Sequence, residues 1–350
     1  LTTATAPSTA STGPPLPGRA AEVDRLTAAW AAATAGRPTL LLIAGEGGIG
    51  KTRLAAELAL TVEATGGRVL AARCYTGERS LFLQPLVDAL DSALAALPAA
   101  RLRTLVGSRA AALTGLWPDL VDELGTPVEH GIPEIAVRRA FEAVTAVLRG
   151  LATDQPTLLL LDDLHQAGLA TVELLHYLAR HAAPARLLVL ATLRTDEGAD
   201  ALDVLADVSQ RLDLGPLPDA AVIRLADEAG QGELAAAILR RTRGHPLFVV
   251  ETLRGLATGE TGPPETLQAA VLARPRQVGR DAEEVLRAGA VLGASVDPTV
   301  VAGMLDLPAH AVARCCVEAT GAGLLVVAER YYEFANDLVQ EILYATTPAP

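Results

Sequence analysis

Lys51 and Thr52 close an eight-residue run, Gly45-Glu46-Gly47-Gly48-Ile49-Gly50-Lys51-Thr52, that fits the pattern G-x-x-x-x-G-K-[ST]. Glycine-rich backbone at the start of a helix can wrap a polyphosphate with its N–H groups, because no side chains stand in the way. Lys51 would then sit between the β- and γ-phosphates, and the Thr52 hydroxyl would face Mg²⁺. Gly45, Gly47, Gly48, Ile49, Gly50 and Arg53 are the remaining positions expected around the phosphates. A plain glycine-rich turn between a strand and a helix is the alternative reading of the same residues.

A second group of side chains could complete that chemistry. Asp162 and Asp163 follow four leucines, 158–161, which read as a parallel strand buried on both faces. Carboxylates at the C-terminal end of such a strand project into the crevice where parallel sheets bind ligands. Asp162 could hold Mg²⁺ and Asp163 could orient an attacking water. Pairs of this kind also cap helices, so the weight comes from the phosphate-binding pattern upstream. Arg194, beyond the apolar run 186–192, could reach a γ-phosphate and so separate ATP from ADP by a charge-assisted bond. Its alternative is a surface arginine among Asp196 and Glu197.

Several elements must position these groups. The run 39–44 predicts the strand before the loop. Leu54, Ala55, Leu58 and Val62 give the helix after it an apolar stripe, and Gly66 and Gly67 stop that helix. Further strands are expected at 68–74, 158–161, 186–192 and 212–217, alternating with helices, which predicts a doubly wound α/β domain with a five-stranded parallel sheet. Residues 81–150 read mostly as helices; Trp117 and His130 there read as packing or loop residues. Beyond Pro218 helices are expected at 220–229, 233–240 and 246–256, with Pro246 at a helix start. Further helices are expected near 266–273, 281–292, 297–305 and 309–321, then an alternating segment 324–334 turning at Glu329-Arg330. Helices followed by a small hairpin suggest a winged-helix fold. Tyr331, Tyr332 and Phe334, without basic neighbours, read as core and hairpin residues. The expected organisation is a linker over 1–15, a nucleotide-binding domain over 16–217, a helical domain over 218–265 and a winged-helix-like domain over 266–350.

Composition narrows the function. The chain has 350 residues and a formal net charge of -12, with a sequence pI near 5.0. A domain that grips DNA needs a basic face, so any DNA contact is expected through a domain outside this chain. Aromatic residues make up 3% of the chain, too few for broad base-stacking platforms. No apolar run approaches the roughly 18 residues of a membrane helix, so no membrane partner is expected. Cys74, Cys315 and Cys316 are odd in number and lack metal-ligand spacing, which suggests a reducing cytoplasm. The start at Leu1 and the Thr/Pro-rich first residues read as a piece of something longer.

With these residues assembled, the chain resembles the ATPase core of the STAND class of signal-transduction ATPases. More narrowly, it is similar to the large ATP-binding LuxR-type bacterial transcription regulators and to SARP-type regulators carrying such a module. The resemblance runs from about residue 16 to the end. It rests on Gly18-Arg19 with Glu22, the phosphate loop, Arg73-Cys74-Tyr75, Asp162-Asp163-Leu164-His165, residues 175–180, Arg194, residues 244–248 and residues 334–344. It implies that Gly18 and Arg19 lie on the adenine, that Arg194 is the sensor arginine near the γ-phosphate, and that Pro246 packs against the base. It also implies Asp162 as the magnesium-organising carboxylate, Asp163 as its catalytic neighbour, an active ATP state and a closed ADP state. From spacing alone, Arg19 reads instead as a solvated helix-start charge.

Three stretches depart from the family. His245 stands where Asn is common, Asn336 where His is common, and Gln166-Ala167-Gly168 replaces Trp-Ala-Asp. Asn336 can donate a hydrogen bond but carries no charge. The function expected is an ATP/ADP-binding switch that self-associates on ATP binding, hydrolyses slowly and answers an unidentified inducer. The alternative is a fast, oligomer-dependent AAA+ motor with an arginine finger, for which Arg138 and Arg139 are candidates. The Thr/Pro-rich start leans toward the SARP type.

Overall fold

The computed structural model describes residues 16–124, 133–258, 268, 271–272, 278–293, 295–328, 331–335 and 337–347. These group into two compact units. The first comprises Ala20–Gly45 and Lys51–Asp213; the second comprises residues 16–19, Glu46–Gly50 and the chain from Leu214 on. The expectations for residues 1–15, His130, 262–264, Glu329-Arg330 and Asn336 lie outside the described residues, as does most of the helix expected near 266–273.

The first unit is built on a parallel sheet in the order β2-β3-β4-β1-β5. Its strands are β1 (Thr39–Gly45), β2 (Arg68–Arg73), β3 (Thr157–Asp162), β4 (Leu187–Arg194) and β5 (Gln210–Asp213). The runs in β1, β3 and β4 are apolar because these strands are covered on both faces: Leu41, Leu42, Ile43, Leu159, Leu188 and Leu190 are all buried. Each such leucine contributes about 1.5–3 kcal/mol of burial. Parallel neighbours need crossover connections. Here α2 (Lys51–Ala64) makes the connection from β1 to β2, while α1 (Ala20–Thr34) leads into β1. A helical stretch follows β2: α3 (Gln84–Ala95), α4 (Ala99–Val106), α5 (Ala110–Leu116), α6 (Val121–Leu124) and α7 (Pro133–Asp154). Two more, α8 (Leu169–His181) and α9 (Ala199–Leu205), flank β4. Leu54, Ala55, Leu58 and Val62 are the buried apolar stripe of α2, as the spacing predicts.

One strand differs from expectation. The run 212–217 reads as the last strand, but β5 ends at Asp213, and the chain from Leu214 belongs to the second unit. Leu217 is buried, in a small core with Val222, Ile238 and Val249. Leu217 thus reports burial in a different core, not continuation of the strand.

The second unit begins with α10 (Asp219–Glu228), α11 (Ala235–Thr242) and α12 (Pro246–Thr258). It continues with α13 (Arg280–Leu292), β6 (Ser295–Val296), α14 (Pro298–Leu305), α15 (Ala309–Gly321), β7 (Leu325–Val327), β8 (Tyr332–Phe334) and α16 (Asp337–Ala345). Asp297 caps α14 by accepting a hydrogen bond from the Thr299 N–H at 2.8 Å, with Pro298 at the first helical position. The expected hairpin is present, since β7 and β8 pair antiparallel. β6 adds a strand on the other side of β8, and at two residues it is too short to show as periodicity. Among the described residues no single helix is long and apolar enough to cross a membrane.

Candidate nucleotide site

Parallel register brings the candidate side chains of the first unit to one edge of the sheet. β4 lies between β1 and β3. Arg194 is opposite Gly45 and Thr192 is opposite Ile43 on β1, while Asp162 is opposite Arg73 on β2. Arg194 is thus the last residue of β4 and not beyond it. The strand ends after β1, β3 and β4 therefore carry Lys51, Asp162-Asp163 and Arg194 side by side.

Thr52 and Asp162 meet across 110 residues of sequence. The Thr52 hydroxyl donates to both carboxylate oxygens of Asp162, at 3.0 and 3.1 Å. Behind them lies Thr192, which sequence reasoning missed. Its hydroxyl, fully buried, donates to Asp162 Oδ1 at 2.6 Å and accepts the Asp163 N–H at 2.9 Å. A threonine in a strand reads as an ordinary β-branched strand residue, so only the β3–β4 register exposes this role. The Asp163 backbone is left-handed, φ 57°, and the Thr192 hydroxyl is the group that meets its N–H. Such a conformation in a non-glycine residue persists where the surroundings fix it. The Asp163 carboxylate is held by Arg73, whose Nε and Nη2 both donate to Oδ2, at 3.1 and 2.8 Å.

Lys51 is buried and its ammonium donates to the Gly45 carbonyl at 2.8 Å. Burial, and next the Arg194 charge, hold its pKa below the usual lysine value, with Asp163, Asp196 and Asp162 pulling the other way. A buried, partly disfavoured cation gains from an anion placed against it. Arg194 is ion-paired to Glu197. His165 also joins this group: its Nδ1 accepts the Arg194 N–H at 3.4 Å, and burial holds its pKa below the ordinary histidine value. Cys74 lies close by, its N–H on the Asp162 carbonyl. Burial together with Asp163 and Asp162 pushes its thiol up to about 12, so it is an inert core thiol.

The middle of the glycine-rich loop, Glu46–Gly50, belongs to the second unit. There Arg19 is buried, and its Nη2 donates to the carbonyls of Gly215 at 2.6 Å and Ile49 at 3.3 Å. The reading of Arg19 as a solvated helix-start charge is therefore wrong; spacing could not reveal partners 30 and 196 residues away. Gly18 is required by its φ of 75° and by space, since a Cβ would come within 2.6 Å of the Ala221 Cβ. Gly48 is required for the same reasons: φ is 80°, and a Cβ would meet Leu247 at 3.0 Å and the His245 ring at 3.1 Å. Pro246 is the first residue of α12. His245, the residue before it, is buried with its ring tilted over Phe248 at 4.5 Å between centroids. Asn336 lies outside the described residues.

These residues fit a magnesium nucleotide. Gly47, Gly48 and Gly50 keep the loop backbone clear of side chains, and Lys51 supplies a cation at its end. Thr52 and Asp162 put two hard oxygen ligands within hydrogen-bond distance of each other. Among the described residues no group of three or more His, Cys, Asp or Glu could hold a metal. A Mg²⁺ here would accordingly depend on phosphate oxygens and water for its other ligands.

The comparisons with known proteins agree. The chain belongs to the AAA ATPase domain family, whose model matches residues 15–190. Membership makes it a nucleotide-binding P-loop ATPase module. An uncharacterized protein of Rhizobium meliloti is 27% identical over 95% of this chain and 35% of its own length. The chain thus spans about a third of that relative. The Walker-type ATPase PABY2304 of Pyrococcus abyssi shares the fold at a TM-score of 0.60 and 15% identity, covering 94% of this chain and 96% of that one. A RuvB mutant of Thermotoga maritima aligns over 94% of this chain and 96% of its own at a TM-score of 0.45 and 14% identity.

Proposed function

We propose that this chain is the ATP/ADP-binding switch of a STAND-class transcription regulator, of the SARP type or the large LuxR type. Its organisation would be a nucleotide-binding domain over 16–217, a helical domain over 218–265 and a winged-helix-like domain over 266–350. The observation that carries the reading is the hydroxyl–carboxylate chain Thr52–Asp162–Thr192 beside Lys51 and Arg194. Lys51 and Arg194 would bind phosphate oxygens; Thr52 and Asp162 would hold Mg²⁺, which would neutralise phosphate charge; Asp163 would orient the attacking water. Gly18, Arg19 and Pro246 flank the base, while Gly45, Gly47, Gly48, Ile49, Gly50 and Arg53 wrap the phosphates.

A ligand shifts a conformational equilibrium only by its differential affinity for the two states. The γ-phosphate supplies that difference through contacts ADP lacks, and Lys51, Thr52, Asp162 and Arg194 are the candidates to make them. ATP binding would favour an open, self-associating form, and slow hydrolysis would return it. DNA would be gripped elsewhere in the full protein, since this chain carries a net charge of -12.

Calorimetry with Lys51→Ala tests the binding assignment: loss of Mg–ATP binding is expected, and retained micromolar affinity would sink it. Steady-state turnover separates the switch from an AAA+ motor. Slow hydrolysis, indifferent to protein concentration, fits the switch. Fast hydrolysis that rises with concentration favours the motor, for which Arg138, with its side chain 77% exposed on α7, is a candidate finger.

A further inference from the structure

Arg194, Glu197 and His165 form a closed triangle beside Lys51. The Arg194 backbone N–H donates to His165 Nδ1 at 3.4 Å. A backbone N–H can only donate, so Nδ1 is the acceptor, and in the neutral ring the proton is on Nε2. Burial favours that neutral form; Asp163 and Glu197 oppose this, while Arg194 and Lys51 add to it. The Nε2–H is thus a buried donor with no hydrogen-bond partner. Its nearest carboxylate is Glu197, whose Oε2 is 3.8 Å away, just beyond hydrogen-bond reach. The other Glu197 oxygen is taken by the Arg194 guanidinium.

The turn that carries Glu197 is closely packed at Gly198. A Cβ on Gly198 would come within 2.6 Å of the Arg194 carbonyl oxygen and 2.8 Å of Leu193 Cδ1. Glu197 stands between two possible partners, one engaged and one waiting.

We infer that Glu197 and His165 are positioning residues that park and release Arg194, with Glu197 exchanging its ion pair to Arg194 for a hydrogen bond from His165 Nε2–H when the guanidinium moves to a phosphate. The exchange rests on the reading of Arg194 as the γ-phosphate sensor and says how that sensor is set. In the parked state Glu197 restrains Arg194 and the imidazole donor goes unmet. In the released state the donor is met, which offsets part of the cost of breaking the ion pair. The imidazole also holds the Arg194 main chain through Nδ1, so the guanidinium moves while its backbone stays in place.

The test is calorimetry on the whole chain with Mg²⁺ and either a slowly hydrolysed ATP analogue or ADP. Glu197→Gln removes the restraint and should tighten the analogue about two- to five-fold, the range of a partly exposed ion pair, with ADP unchanged. His165→Leu should weaken the analogue by a similar factor, because Glu197 loses its alternative partner. His165→Gln, which keeps a donor, should restore it. In the Glu197→Gln background His165→Leu should have no effect. A His165→Leu effect that persists there, or that falls equally on ADP, means a structural role only and overturns the inference. If His165→Leu does not fold, Glu197→Gln decides: an unchanged analogue-to-ADP ratio overturns the exchange. Arg194→Ala separates the two levels. A ratio unaffected by Arg194→Ala overturns the sensor reading and the exchange with it; a collapsed ratio without Glu197–His165 coupling overturns the exchange alone.

Discussion

Arg73, the last residue of β2, grips Asp163 through two nitrogens on a single carboxylate oxygen, at 3.1 Å from Nε and 2.8 Å from Nη2. The arginine side chain is 58% exposed and the aspartate 15%, so the pair sits at the rim of the site with the acid turned inward. If Asp163 accepts a proton from an attacking water, that oxygen is already occupied by a cation. Arg73→Ala is expected to raise ATP turnover several-fold while leaving ATP affinity within about two-fold. Phosphate release under saturating Mg–ATP measures this; turnover as slow as in the wild type would remove Arg73 as a restraint. Asp163→Asn should do the opposite, retaining binding while slowing hydrolysis.

Thr192 deserves its own variant because its hydroxyl serves two masters, donating to Asp162 and accepting from the Asp163 N–H. Thr192→Val keeps the shape and removes both bonds, leaving a buried N–H and a carboxylate oxygen short of partners. Leaving one such group unmet costs about 1–3 kcal/mol. A thermal melt should therefore show a lower Tm, and Thr192→Ser should recover most of the loss. If Thr192 acts only on the fold, Mg²⁺ dependence of ATP binding will be the same in all three proteins; a weaker Mg²⁺ response in Thr192→Val shows that it also orients Asp162.

The ease with which these residues could be read from sequence depended on how local their signals are. The loop 45–52 and the leucines before Asp162 are short-range patterns, and the structure has β1, β3 and the stripe of α2 where those patterns put them. Thr192, the Arg73–Asp163 pair and the burial of Arg19 are products of register between distant segments. Nothing in the spacing of single residues encodes which strand ends become neighbours. The end of β5 differs from expectation for a related reason: Leu217 closes the apolar stretch that starts at Leu212 but serves the second unit's core, and a run of apolar residues cannot say which core each one enters.

Lys51 gives the site a pH dependence whose sign is fixed by its environment. Burial, then Arg194, holds its pKa below the lysine value of 10.5. For folding, a cation with a lowered pKa is a penalty that is full at low pH. The penalty eases as pH rises through the folded pKa toward the unfolded one, because the folded state then sheds its proton first. Binding runs the other way, since a polyphosphate favours the charged ammonium. Mg–ATP binding should take up a proton where Lys51 has begun to lose its own, and affinity should fall with rising pH over a range that begins below that of an ordinary lysine. Calorimetry in buffers of different ionisation heat reads the uptake directly. Lys51→Arg, charged throughout this range, should bind with a flat pH profile. A wild-type profile equally flat would mean that the Lys51 ammonium is not what the phosphates meet.

Gly48 and Gly50 separate backbone strain from steric exclusion within one loop. Both have left-handed backbones, at φ 80° and 101°. A Cβ at Gly50 would meet nothing within 4 Å, whereas at Gly48 it would press on Leu247 at 3.0 Å and His245 at 3.1 Å. Gly50→Ala carries only the conformational penalty, about 1–3 kcal/mol for a residue held in a sparsely populated region. Gly48→Ala carries that penalty and must also displace His245 and Leu247, one contact being the Leu247 Cβ, which cannot swing aside. Gly48→Ala should therefore lower the Tm more than Gly50→Ala. Trimming the neighbour in Gly48→Ala/Leu247→Gly should recover part of the difference, and the same trim should bring no recovery to Gly50→Ala. Equal Tm losses for the two single variants would show that the loop yields at Gly48.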